Sequence, residues 1–181
     1  MTVDPDSSPH PTDTPALGVP PTPFPATGRL LGVDFGTVRV GLAISDPDRL
    51  ISSPLETYTR RNEAADSGFF RQLILSERIV ALVVGLPLHT GGEEGIKAAE
   101  SRQYGAWLAR QTQRPVVFWD ERCTTAAAED ALRAAGLNQR KRKDRRDRVA
   151  AQLILQGFLE AGCPPEGTRG VKDLSPRENS I

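Results

Sequence analysis

Apolar positions along this chain follow two periods. Leu30 to Val33 is a short apolar run that ends on Asp34. After a turn through Phe35, Gly36 and Thr37, Val40, Leu42 and Ile44 alternate with Arg39, Gly41, Ala43 and Ser45. Period-two alternation predicts a strand with one face buried. Leu30 to Asp46 therefore reads as a hairpin whose first strand ends on a carboxylate. Leu50 to Tyr58 predicts a third strand. Asn62 is placed to cap a helix from Glu63 to about Ser76, with Phe69, Phe70, Leu73 and Ile74 as its apolar face. Ile79 to Val84 is apolar throughout, as a strand buried on both faces requires, and Gly85-Leu86-Pro87 stops it. A glycine-rich loop then leads to a helix from about Ile96 to Gln113, with Trp107 and Leu108 inward. Pro115 to Trp119 predicts another buried strand, running into Asp120-Glu121-Arg122. Thr124 or Thr125 caps a short Ala-rich helix to about Ala135, which Gly136 ends. The last helix is expected from about Arg145 to Ala161, stopped by Gly162 and Pro164-Pro165.

Three strands in a meander, followed by alternating helices and strands, predict a single α/β domain. Its mixed five-stranded sheet starts antiparallel, continues parallel and is flanked by helices. Met1 to Thr27 holds Pro5, Pro9, Pro11, Pro15, Pro20, Pro21, Pro23 and Pro25. Such a segment buries too little apolar surface to offset its ordering entropy, so a disordered tail is expected. The domain is expected over residues 28–163, followed by a flexible C-terminal tail over 164–181.

Composition changes this picture little. The 181 residues suffice for one hydrophobic core, and the 38% apolar content and 15 prolines reflect the tail. The formal net charge is +0, but acids dominate the first segment and basic residues cluster late. Cys123 and Cys163 show neither metal spacing nor a disulfide framework, which suits a reducing cytoplasm. No apolar run approaches a membrane span, and no secretory signal is evident at the N-terminus.

Three acids lie beside apolar segments. Asp34 ends the first strand, and Glu121 follows the fifth. Asp147 begins the helical series Asp147, Ala151, Ile154, Phe158, which shares one face. If two strand ends and this face converge, three carboxylates meet, and a divalent cation relieves their repulsion. Oxygen-only ligands favour Mg2+ or Mn2+, a pairing suited to phosphodiester hydrolysis. Each acid has a bland alternative. Asp34 could bond a turn amide, Asp120 competes with Glu121, and Asp144 competes with Asp147.

Arg140, Lys141, Arg142, Lys143, Arg145, Arg146 and Arg148 form a basic block leading into the helix of Asp147. At that place it suits contacts to a phosphate backbone, and a bound polyanion would offset the cost of cations at a helix N-terminus. Arg60 and Arg61 are candidates to extend it. His89 lacks the partners of a nucleophilic triad, and Cys123 reads as a packing residue.

The segments VDFGTVRVGLAISD, VVGLPLHTGGEEG, DERCTTAAAE and DRVAAQLIL together resemble the four blocks of the YqgF-type, RuvX-like bacterial nucleases, in family order. The resemblance implies an RNase H-like fold and metal-dependent maturation of the 5′ end of pre-16S ribosomal RNA. It also implies a likeness to Holliday-junction resolvases. It assigns Asp34, Glu121 and Asp147 as catalytic, metal-binding acids, over Asp120 and Asp144. The family often has an Asn where this chain has His89, and the Pro-rich tail is outside its pattern. RNA is the favoured substrate, with branched DNA second and a homodimer suited to a two-fold junction. Two other classes are weighed. DFGT also resembles the phosphate loop of actin-like kinases, but those need two domains. A non-catalytic nucleic-acid module would have no use for three acids.

Overall fold

The computed structural model describes residues 23–89, 94–121 and 139–167, with side chains of the last stretch from Arg146 onward. Five strands form one sheet: β1 (Arg29–Asp34), β2 (Arg39–Ser45), β3 (Ser52–Thr59), β4 (Ile79–Leu86) and β5 (Val116–Asp120). Their order is β3-β2-β1-β4-β5. The β1–β2 and β2–β3 pairs are antiparallel, and the β1–β4 and β4–β5 pairs are parallel. Three helices are described: α1 (Glu63–Ser76), α2 (Ile96–Thr112) and α3 (Gln139–Glu160). The expected mixed α/β sheet is present, with every predicted strand within a few residues of its place.

Side-chain alternation sorts the strands onto two cores. Leu31, Val33, Val40, Leu42, Leu82 and Val84 join Phe70, Ile74 and Leu108 beneath α1 and α2. Leu30, Ala43, Ala81, Val83, Val117 and Trp119 join Ala151, Ile154, Leu155 and Phe158 beneath α3. Asn62 caps α1 as predicted, its Oδ1 accepting from Ala65 N–H at 2.9 Å. α2 ends on Gln113 in the left-handed region.

Two expectations change. The last helix begins at Gln139, not near Arg145. Arg and Lys rank among the better helix formers, so the basic block continues the helix instead of preceding it. Strand β2 is buried on both faces, not one. Gly41 and Ala43 are small because α3 lies directly on them, not because they face water. The expected Ala-rich helix and Cys123 lie outside the described residues. At the end of the Pro-rich segment, Phe24 packs edge to face on Phe158 at 5.8 Å, with the Arg49 guanidinium 5.4 Å from its ring centroid.

Candidate active site

Asp34 has the parity of Leu30 and Gly32, so it leaves β1 on the side covered by α3. Its two neighbours across the sheet are glycines. Gly41 is its partner on β2. Gly85 on β4 follows Val84, the partner of Val33. Each glycine admits another acid. A side chain on Gly41 would run into the Asp147 carbonyl oxygen of α3. A Cβ on Gly85 would lie 2.7 Å from Glu121 Oε1 and 2.6 Å from Ile154 Cδ1. The missing side chains on both flanks let α3 and the end of β5 approach Asp34.

Packing supplies the energy for this approach. Ile154, Leu155, Phe158 and Leu159 of α3 are buried against the sheet. At roughly 1.5–3 kcal/mol for each large apolar side chain, this exceeds the several kcal/mol of repulsion between nearby carboxylates. Polar contacts fix the helix register as well. Ser52 N–H donates to Gln156 Oε1 at 2.9 Å, and Gln152 Nε2 donates to Ser52 O at 2.9 Å.

The electrostatics record the convergence. The Asp34 carboxyl is pushed up to about 7, first by burial and then by the charges of Glu121 and Asp147, with Arg146 acting the other way. Its surroundings are those of an acid cluster, not of a turn aspartate held by a backbone amide. Glu121 is also raised, first by burial and then by Asp120, with Lys97 opposing. Strand alternation separates Glu121 from its rival. Asp120 has the parity of Phe118 toward α2, whereas Glu121 has the parity of Trp119 toward α3. Asp147 is turned to Arg39, Nη2 to Oδ2 at 2.8 Å.

Among the described residues no three His, Cys, Asp or Glu side chains are already spaced to hold a metal ion. The donor set nevertheless suits a hard divalent cation. It is all carboxylate and partly buried, and burial first, then the charges of Glu121 and Asp147, hold the Asp34 carboxyl well above the usual carboxylate range.

The basic block lies at the start of α3. Arg140, Lys141, Arg142, Lys143 and Arg145 occupy its first turns, with side chains outside the described residues. Arg146 is exposed and acts on Asp34, and Arg148 is half-buried. Arg60 and Arg61, the candidates to extend this block, line a cleft beside α1 and α2. His89 is exposed, with its ring against Gly95. Sequence reasoning missed Arg39, Lys97 and the two glycines. The signal for the glycines was available: small residues on successive strands where a helix must lie close.

Residues 28–161 match the family described as RuvX, Holliday junction resolvase. A relative from Rhodopirellula baltica is 50% identical over 138 residues, 76% of this chain and 80% of that protein. One from Koribacter versatilis is 41% identical over 138 residues, 76% of this chain and 90% of that protein. Both carry the name "Putative pre-16S rRNA nuclease". The fold is similar to that of T. thermophilus RuvC in complex with Holliday junction substrate. That likeness has a TM-score of 0.51 at 15% identity, covering 76% of this chain and 98% of that one. With the match spanning both sheet faces and all three acids, the chain belongs to the RuvX family.

Proposed function

We propose that this protein is a cytoplasmic, metal-dependent nuclease that hydrolyses phosphodiester bonds in pre-16S ribosomal RNA. Asp34, Glu121 and Asp147 are the acids that hold Mg2+ or Mn2+. The observation that carries this reading is the pair of glycines beside Asp34, Gly85 leaving room for the Glu121 carboxylate and Gly41 for the backbone of the helix that bears Asp147. A structural acid would have no need of such neighbours. The names of the relatives support RNA as the substrate, and the family description keeps branched DNA as the second choice.

The chain's own groups have separable tasks. Asp34 sits centrally and receives the charge of both other acids. A divalent cation bound by the three would supply Lewis-acid stabilisation of the charge that develops on the phosphate. Lys97 offsets Glu121, and Arg146 offsets Asp34, so both cations lie where a phosphate would approach. Arg140, Lys141, Arg142, Lys143, Arg145, Arg146 and Arg148 hold the backbone beyond the cut, where bidentate arginine contacts position without reading sequence.

The test compares wild type with Asp34→Asn, Glu121→Gln and Asp147→Asn, with Mn2+, on a structured precursor RNA and a four-way DNA junction. Cleavage should require Mn2+ and fall by at least about 100-fold in each variant, as loss of a group that stabilises transition-state charge does. Equal cleavage by wild type and all three variants would overturn the assignment. The preferred substrate decides between the two nucleic acids.

A further inference from the structure

A cleft of about 780 Å³ opens on the opposite side of the sheet end from Glu121 and Asp147. It begins at Phe35, the residue after Asp34, and reaches α2 at Tyr104 and Trp107. Three rings line it in sequence. Phe35 and Tyr104 lie 4.6 Å apart at 33°, and Tyr104 and Trp107 lie 5.3 Å apart at 19°. The Arg60 guanidinium is 5.5 Å from the Phe35 centroid and 5.0 Å from that of Tyr104. Tyr104 is 5% exposed, and its Oη is buried without a hydrogen-bond partner among the described residues.

We infer that this cleft holds an unpaired base of the nucleic-acid strand whose phosphate lies at Asp34. The inference rests on the nuclease reading above and names the subsite next to it. Planar rings and an arginine plane are the surfaces on which unstacked bases lie. The volume falls in the range of small-molecule sites. Charge separates a base from a further phosphate as the occupant. Asp66 already accepts from Tyr58 Oη at 2.8 Å and from Arg61 N–H at 3.0 Å, and Glu63 accepts from Trp107 Nε1 at 3.2 Å. Glu100 adds a third carboxylate to the lining. Arg60 and Arg61 share this lining, with Arg60 Nε 3.6 Å from Asp66 Oδ2, so the two cations are outnumbered by three acids and attract no further phosphate, whereas Glu100 can accept an N–H of a base edge. Asp34 and Phe35 are adjacent in the chain yet serve opposite faces, so one strand can cross the β1–β2 turn with phosphate on one side and base on the other.

The probe is an RNA hairpin with a single-stranded tail carrying 2-aminopurine, with a DNA counterpart, added to the full chain in EDTA. On wild type, 2-aminopurine fluorescence should be quenched, and Phe35→Ala should weaken binding roughly 10-fold and abolish the quench. Arg60→Lys keeps the charge but loses the plane, and should weaken the tailed probe while leaving a blunt duplex unaffected. It also stands in for Phe35→Ala should that variant fold poorly. Asp34→Asn should still quench. Whichever tail is quenched identifies RNA or DNA as the source of the base. Equal quenching by wild type and both cleft variants would overturn the inference, as would equal competition by a blunt duplex. An oligo-arginine peptide that shields Trp107 where neither tail does would assign the cleft to a cationic peptide instead. Cleavage without quenching sinks the cleft alone, and quenching without cleavage sinks the nuclease reading alone.

Discussion

Arg39 and Asp147, on β2 and α3, form an ion pair with Nη2 and Oδ2 2.8 Å apart and side chains only 18% and 23% exposed. Arg39 thus supplies a positive charge to an acid that otherwise adds to the load on Asp34. On the proposed metal site, a guanidinium and a divalent cation would compete for the same carboxylate. Arg39→Met should cost roughly 1–3 kcal/mol in EDTA, between the worth of a surface pair and a buried one. It should also tighten Mn2+ binding by about 10-fold, since a tenfold change is about 1.4 kcal/mol. Thermal melts with and without Mn2+ measure both. Weaker Mn2+ binding in the variant would show that Arg39 assists the ion.

The pH dependence of stability follows from Asp34. Its carboxyl moves from 3.8 to about 7 on folding. Between those values the folded state holds a proton that the unfolded state has released, so stability falls as pH rises from about 4 to 7 and levels above. Asp34→Asn removes the charge that causes this. The variant should be the more stable protein at pH 8, by about 1–4 kcal/mol, and no more stable near pH 4. Melting temperatures across that range give the answer, and a gap that widens toward low pH would reverse the sign argued here.

Two glycines make a matched pair of tests. Gly41 lies against the backbone of Asp147, whereas a Cβ on Gly68 of α1 meets nothing within 4 Å. Gly41→Ala has to push α3 away from the sheet and should lose about 1–3 kcal/mol and most of the activity. Gly68→Ala should gain about 0.5–1 kcal/mol, because alanine restricts the unfolded chain and favours helix. Denaturant melts and cleavage rates of the two variants check this, and similar behaviour of both would refute the close approach of α3.

The strands and both candidate strand-end acids were legible because burial imposes short periods. The stripe Asp147, Ala151, Ile154, Phe158 found the inward face of α3 for the same reason, and its three apolar members are buried. The start of α3 was not legible, since a basic run reads equally well as a loop or as an exposed helical turn. Arg39 was passed over because alternation put it among residues expected to face water. Only the second buried face of β2 makes it internal. The cleft could not be read at all: Phe35, Arg60 and the pair Tyr104 and Trp107 come from three segments that only the fold brings together.

On the proposed role of the three acids, their order along the chain sets the timing of activity during synthesis. Asp34 and Glu121 leave the ribosome before Asp147, which is carried by the helix that also covers Ala43, Ala81 and Val83. Until α3 docks, the nascent chain presents a bare apolar sheet face and an incomplete set of acids. With those acids as the catalytic set, cutting competence and completion of the second core are one event.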